Sequence, residues 1–275
     1  MTTFCLETGK RRLCVNAGAA IDISIPLVFD GEQPNFFGAP RAAGKPLELD
    51  GFVGDTRQGA SCNVGEYHLV PHCNGTHTEC LGHIVHDELF APEIMQQAFL
   101  PATLISVSPR SASRSRETSL PNPQPTDRLV TAYGLRLALE KFPDTLFHQA
   151  LIIRTEPNPE QKTQREYLSE DPPPYFSMEA MELLVASGVE HLLVDLPSLD
   201  RMNDGGRLTA HRIFWELPPG ARDAASSARA HCTVTEMIYV PDVVPDGYYL
   251  LNLQMPAFMA DAAPSRPLLY PLETK

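Results

Sequence analysis

The sequence predicts an α/β fold. Three observations point there. In the middle of the chain, apolar runs of strand length alternate with helical patterns. Near the two ends, strand-like runs follow one another without a helix between them. No internal repeat or linker interrupts the 275 residues, a length that fits a single domain over 1–275 whose core needs no staples.

Each element has its own signal. In residues 21–27, Ile21-Asp22-Ile23-Ser24-Ile25 alternates apolar and polar side chains, the period of a half-buried strand. Residues 31–64 are rich in Gly and Pro and carry Phe36 and Phe37. Such a loop either walls a pocket or is tucked onto the core by its Phe pair. Residues 67–71 read as a short strand and 103–107 as another. Residues 109–125 form a polar loop. Helical spacing over 131–141 sets Leu135, Leu137 and Leu139 beside Glu140 and Lys141. Ala-Leu-Ile-Ile-Arg-Thr at 150–155 reads as a buried strand. Ser177 is a good N-cap for a helix over 178–187, and Gly188 a good stop. Residues 191–196 form a second buried strand. Residues 233–240 and 248–254 read as two late strands joined by a turn at Pro245-Asp246-Gly247.

Composition excludes some functions. A net charge of −12 argues against a nucleic-acid groove or an anionic membrane surface, which need clustered Lys and Arg. No run of about 18 apolar residues offers a membrane span, and Met-Thr-Thr-Phe-Cys does not open like a secretory signal. The six cysteines form no Cys-x-x-Cys pair. Free thiols in a reducing, cytoplasmic setting are therefore expected.

Chemistry concentrates in residues 72–87, which hold four of nine histidines and two of six cysteines. Imidazole, thiolate and carboxylate are the donors that bind divalent transition metals. Cys73, His77, Glu79 and His83 share one parity and face one side wherever the segment is extended. His72 and His86 have the opposite parity. One short segment rarely closes a coordination sphere, so further ligands are sought elsewhere. Candidates are Asp195 and Asp200 after the 191–196 strand, His211, and Glu236. The last is an acid in an apolar strand, where it must be paired or bound unless it lies on a solvated edge.

The motif Cys73-Asn-Gly75-Thr76-His77-Thr-Glu79-Cys-Leu81-Gly-His83 resembles His-x-Gly-Thr-His-x-Asp-x-Pro-x-His. That is the signature of the cyclase family, which includes bacterial kynurenine formamidase and isatin hydrolase. Asp22 to Leu27, Leu151 to Thr155, Asp195 to Asp200, His211, and Glu236 to Leu253 resemble further family stretches, so the likeness spans about residues 20–270. The resemblance implies a swivelling β/β/α fold with mixed sheets, a homodimer or homotetramer, a small-molecule substrate, and one or two divalent ions, zinc or manganese. By position it assigns Cys73, His77, Glu79, His83, His211 and Glu236 to the metal, with His83 also an acid/base residue and Asp223 a rival to Glu236. Cys for His softens the site toward zinc, and His72 is a rival to Cys73.

The implied activity is that of an amidohydrolase acting on C–N bonds, arylformamidase-like or isatin hydrolase-like. Hydroxide made available by the metal attacks the carbonyl of a small amide or cyclic amide. His83 passes a proton to the leaving nitrogen, Glu236 serves at the catalytic centre, and Phe36 and Phe37 wall the substrate. Two alternatives stand beside it: a ligand binder with an altered or lost metal site, and a cysteine enzyme using Cys73 or Cys80 as nucleophile.

Overall fold

The structure is a computed structural model and describes residues 2–9 and 11–273. Nine strands build one mixed sheet. They are β1 (Ile21–Asp22), β2 (His77–Glu79), β3 (Phe99–Val107), β4 (Ala150–Thr155), β5 (His191–Val194), β6 (Thr233–Glu236), β7 (Gly247–Asn252), β8 (Ala262–Pro264) and β9 (Leu268–Pro271). Their order is β8-β2-β6-β5-β4-β3-β7-β9-β1. The central β6-β5-β4-β3 pairs are parallel, and the flanking pairs are antiparallel.

The parallel centre explains its own sequence. All six residues of β4 are buried. Leu151 and Ile153 enter one core, with residues of the helices α2 (Ala132–Leu139) and α3 (Met178–Ala186). Ala150 and Ile152 enter the other, with Tyr249 and Leu251. A strand covered on both faces reads as a continuous apolar run. Both helices are capped as their sequences anticipate. Thr131 Oγ1 accepts from Gly134 N, Ser177 Oγ accepts from Ala180 N, and Gly188 at φ 76° ends α3.

Four expectations need correction. The runs 233–240 and 248–254 are not a hairpin: β6 and β7 are separated by β5, β4 and β3. The buried Arg154 braces the connection, donating to Pro241 O and Val244 O, both at 2.9 Å, and to Asp246 Oδ1 at 3.1 Å. Residues 67–71 are only partly extended, because the Gly65–His68 strand gives way to a short helix, α1 (Pro71–Asn74), with Pro at its start. Of residues 21–27, only Ile21–Asp22 pairs as a strand. The cysteines are not all free. An N-terminal hairpin of Thr3–Thr8 and Arg11–Asn16 sets Cys5 opposite Cys14, and the two form a disulfide, leaving Cys62, Cys73, Cys80 and Cys232 as thiols. No helix among the described residues is long and apolar enough to cross a membrane.

Candidate metal centre

The site forms where β2 and β6 pair. The period of two places His77 and Glu79 on one face. Thr78 turns away to bond Thr235 and Ser265. Antiparallel register sets Glu236 directly opposite His77, bringing Glu236 Oε2 to 3.5 Å from His77 Nε2. A short helix, α4 (Thr209–Phe214), supplies His211. From the other side come His72 on α1, His83 at the end of the 3₁₀ turn Leu81–His83, and Asp261 just before β8.

The inner rings are held by their outer nitrogens. His77 Nδ1 donates to Gly75 O at 3.0 Å. His211 Nδ1 donates to Asp200 Oδ2 at 2.7 Å. Asp200 also accepts from the backbone N–H groups of Ala210 and His211 in the first turn of α4, fixing carboxylate and helix together. Trp215 stacks on the His211 ring with centroids 5.6 Å apart. Each Nε2 is thereby aimed inward.

What they face is an unsatisfied interior. His77 Nε2, His211 Nε2 and both carboxylate oxygens of Glu79 are buried without a hydrogen-bond partner. Glu79 Oε1 lies 3.0 Å from His211 Nε2, and Oε2 lies 3.0 Å from His72 Nδ1. These atoms are close yet misaligned for hydrogen bonding, as atoms that share a third partner are. Native interiors rarely leave such groups open, and each unmet group costs about 1–3 kcal/mol, more when charged. Glu79, His211 and Glu236 carry ligand atoms within 4.8 Å of one another, as do His72, His77 and Glu79, and also His72, His83 and Asp261. A nitrogen and oxygen donor set of this kind fits zinc or manganese.

The electrostatics agree. Burial pushes the Glu79 carboxyl up, but the neighbouring His83 and His211 charges outweigh it and hold it well below the usual range. Burial opposes charge on His72, yet its hydrogen bond to Asp261 and the adjacent Glu79 charge overcome it and raise the ring to about 10. His211 is raised the same way: burial is overridden by Glu79, then by Asp200. A cluster of carboxylates and imidazoles of this kind can be balanced by protons or by a divalent ion.

The structure brings His77, Glu79, His83, His211 and Glu236 into one cluster. Cys73 lies at its edge, packed against Phe36, Tyr167 and Met202, and joins none of the ligand groupings. The reason is local. Only His77–Glu79 is extended, so the shared parity does not reach Cys73, and the turn of α1 carries His72 inward instead. Because Cys73 joins none of these groupings, no sulfur donor favours zinc over manganese here. Burial raises the Cys73 thiol, with the Glu236 charge adding to it, and burial raises Cys80 to about 12. Neither environment favours the thiolate. Asp223 is exposed and accepts from Ser226. Asp195 binds Lys162 and Thr155. The sequence reading missed Asp261, which lies 189 residues from His72 in a stretch with no motif around it.

A cavity of about 250 Å³ opens above the cluster. Glu79, His83, His211 and Glu236 line it on one side, and Phe36 and Phe37 on another. Phe36 is buried, Phe37 is exposed, and the two rings lie 3.9 Å apart. The volume falls below the roughly 300–1,000 Å³ of drug-sized pockets, so it suits a small ligand.

A model of the family named Cyclase matches residues 21–201, well over half of the chain. No curated protein matches the chain by sequence. Among solved structures, an isatin hydrolase bound to the product analogue thioisatinate aligns with a TM-score of 0.63 at 14% identity, covering 94% of each chain. Isatin hydrolase A from Labrenzia aggregata, bound to benzyl benzoate, aligns at 0.60 and 14% identity, covering 94% of this chain and 96% of that one. A predicted metal-dependent hydrolase from Bacillus stearothermophilus aligns at 0.58 and 14% identity, covering 91% and 97%. At that identity the likeness shows the fold.

Proposed function

The chain belongs to the cyclase family, and we propose that it is a metal-dependent hydrolase of a small amide or cyclic amide. The observation that carries this reading is the set of four buried, partnerless donor atoms on His77, Glu79 and His211. His72, His77, Glu79, His211 and Glu236 would hold the metal. Bound there, a divalent ion supplies Lewis acidity, polarising a carbonyl and acidifying water.

The chain's own residues supply the rest. Asp200 and Gly75 O fix two imidazoles before any ligand arrives, which lowers the reorganisation needed on binding. Leu199 N donates to Glu236 Oε1 at 3.0 Å and locks that carboxylate. His83 is partly exposed to the cavity, at 27% of its side chain. It is the imidazole placed to carry a proton to a leaving nitrogen. Phe36 and Phe37 offer apolar ring faces tilted 37° to each other, which favours an apolar or aromatic substrate over a charged one. Isatin, a planar cyclic amide, is the natural first substrate to try given the fold neighbours.

The test is to load the protein with Zn²⁺ or Mn²⁺ and offer isatin, N-formyl aromatic amines and other small amides. Turnover that a chelator abolishes, that iodoacetamide spares and that His83→Ala depresses is expected. Stoichiometric metal with no turnover across the panel would overturn the hydrolase reading.

A further inference from the structure

Three imidazoles face Glu79 and Glu236 with a nitrogen each, and two are steadied from behind: His77 by Gly75 O and His211 by Asp200. The third, His72, repeats the arrangement with the ring reversed. Its Nε2 bonds Asp261 Oδ2 at 2.9 Å, and this leaves Nδ1 3.0 Å from Glu79 Oε2. We infer that Asp261 is the positioning residue that makes His72, rather than its neighbour Cys73, the third imidazole of the centre. The inference rests on the metal-centre reading above.

The same Asp261 oxygen lies 3.5 Å from His83 Nδ1, and His83 Nε2 then lies 3.9 Å from Glu79 Oε2. The His72 and His83 rings lie 4.3 Å apart. One carboxylate oxygen therefore bonds His72 and lies within ion-pair distance of His83. Its own position is built into the backbone. Cys80 N donates to Asp261 O at 3.0 Å. Gly82 admits the close approach: a Cβ there would stand 2.6 Å from Leu89 O and 3.2 Å from Asp261 Cβ. Cys73 has no comparable support. It packs against apolar side chains and joins none of the ligand groupings. Outer carboxylates that hold metal-binding histidines are typically worth 10–100-fold in affinity.

The experiment measures Zn²⁺ affinity by competition with a chromophoric chelator, and records the Co²⁺ absorption spectrum of the full chain. Asp261→Ala is expected to bind zinc about 10–100-fold more weakly than wild type. Asp261→Asn, which keeps an acceptor for His72, is expected to recover part of that loss. In the double variant Asp261→Ala/His72→Ala, zinc binds no more weakly than in His72→Ala alone, because Asp261 acts through His72. The Co²⁺ form of wild type is expected to show no thiolate charge-transfer band, and Cys73→Ser to bind zinc as wild type does. Wild-type affinity in Asp261→Ala, additive losses in the double variant, or a thiolate band would each overturn the inference while leaving the metal centre standing. A wild-type protein that binds no divalent ion would instead remove the centre itself, and the inference with it.

Discussion

Two buried carboxylates end strands of the same sheet, and their surroundings differ. Asp195 follows β5 and is closed on every side. Oδ2 accepts from Thr155 N at 2.8 Å and Lys162 Nζ at 2.7 Å, and Oδ1 accepts from Thr155 Oγ1 at 2.9 Å. Glu79 ends β2, is as deeply buried, and neither oxygen has a hydrogen-bond partner. Both sit among groups of opposite charge. The difference is completeness. A buried charge that the protein has satisfied is part of the scaffold, and one left open is shaped for something that arrives later. Proximity of acids and histidines alone does not separate these cases, but the hydrogen-bond inventory does.

Breaking the closed cluster should give the largest effect. Lys162→Met leaves Asp195 buried and unpaired, so unfolding in urea should show a loss of about 3–5 kcal/mol. Zinc at 100 times its Kd should still stabilise both wild type and this variant by about 2.7 kcal/mol. A variant that zinc no longer stabilises would mean the two clusters form one network.

A buried histidine outside the centre extends the contrast. His191 on β5 bonds Thr233 Oγ1 at 2.9 Å and has no carboxylate against its ring. Burial, with a smaller contribution from His231, lowers its pKa to about 4 against the opposing pull of Glu190. The fold therefore favours the neutral ring. Its contribution is fully present above the unfolded value near 6.5 and is lost as pH falls from there to about 4. The loss amounts to about 3 kcal/mol. Urea midpoints from pH 7 to pH 4 should carry this slope in wild type and lose it in His191→Gln. An unchanged slope would assign the pH dependence elsewhere.

Much of this arrangement is visible in the chain. The alternation of strand and helix, the caps at Thr131 and Ser177, and the stop at Gly188 are local signals that the packing reinforces. His77 and Glu79 face together because a three-residue strand preserves parity. Cys73 shows where that logic ends. Two residues before the strand the backbone turns through α1, and parity no longer says which side chain faces inward. Arg154, Asp261 and the pairing of β6 away from β7 were hidden for a different reason. Each depends on segments far apart in sequence, and no local pattern marks them. Asp261 meets His72 across 189 residues, and Arg154 meets Pro241 across 87.

The proposed cation would sit among the open donor atoms of Glu79, His77 and His211. Anomalous diffraction at the zinc edge, from crystals grown with Zn²⁺, tests this placement most directly. A peak is expected about 2.0–2.2 Å from His or carboxylate donors of this cluster, with His72 and not Cys73 beside it. A cluster without a peak while zinc occupies other positions, or a peak bonded to Cys73 Sγ at about 2.3 Å, would contradict it.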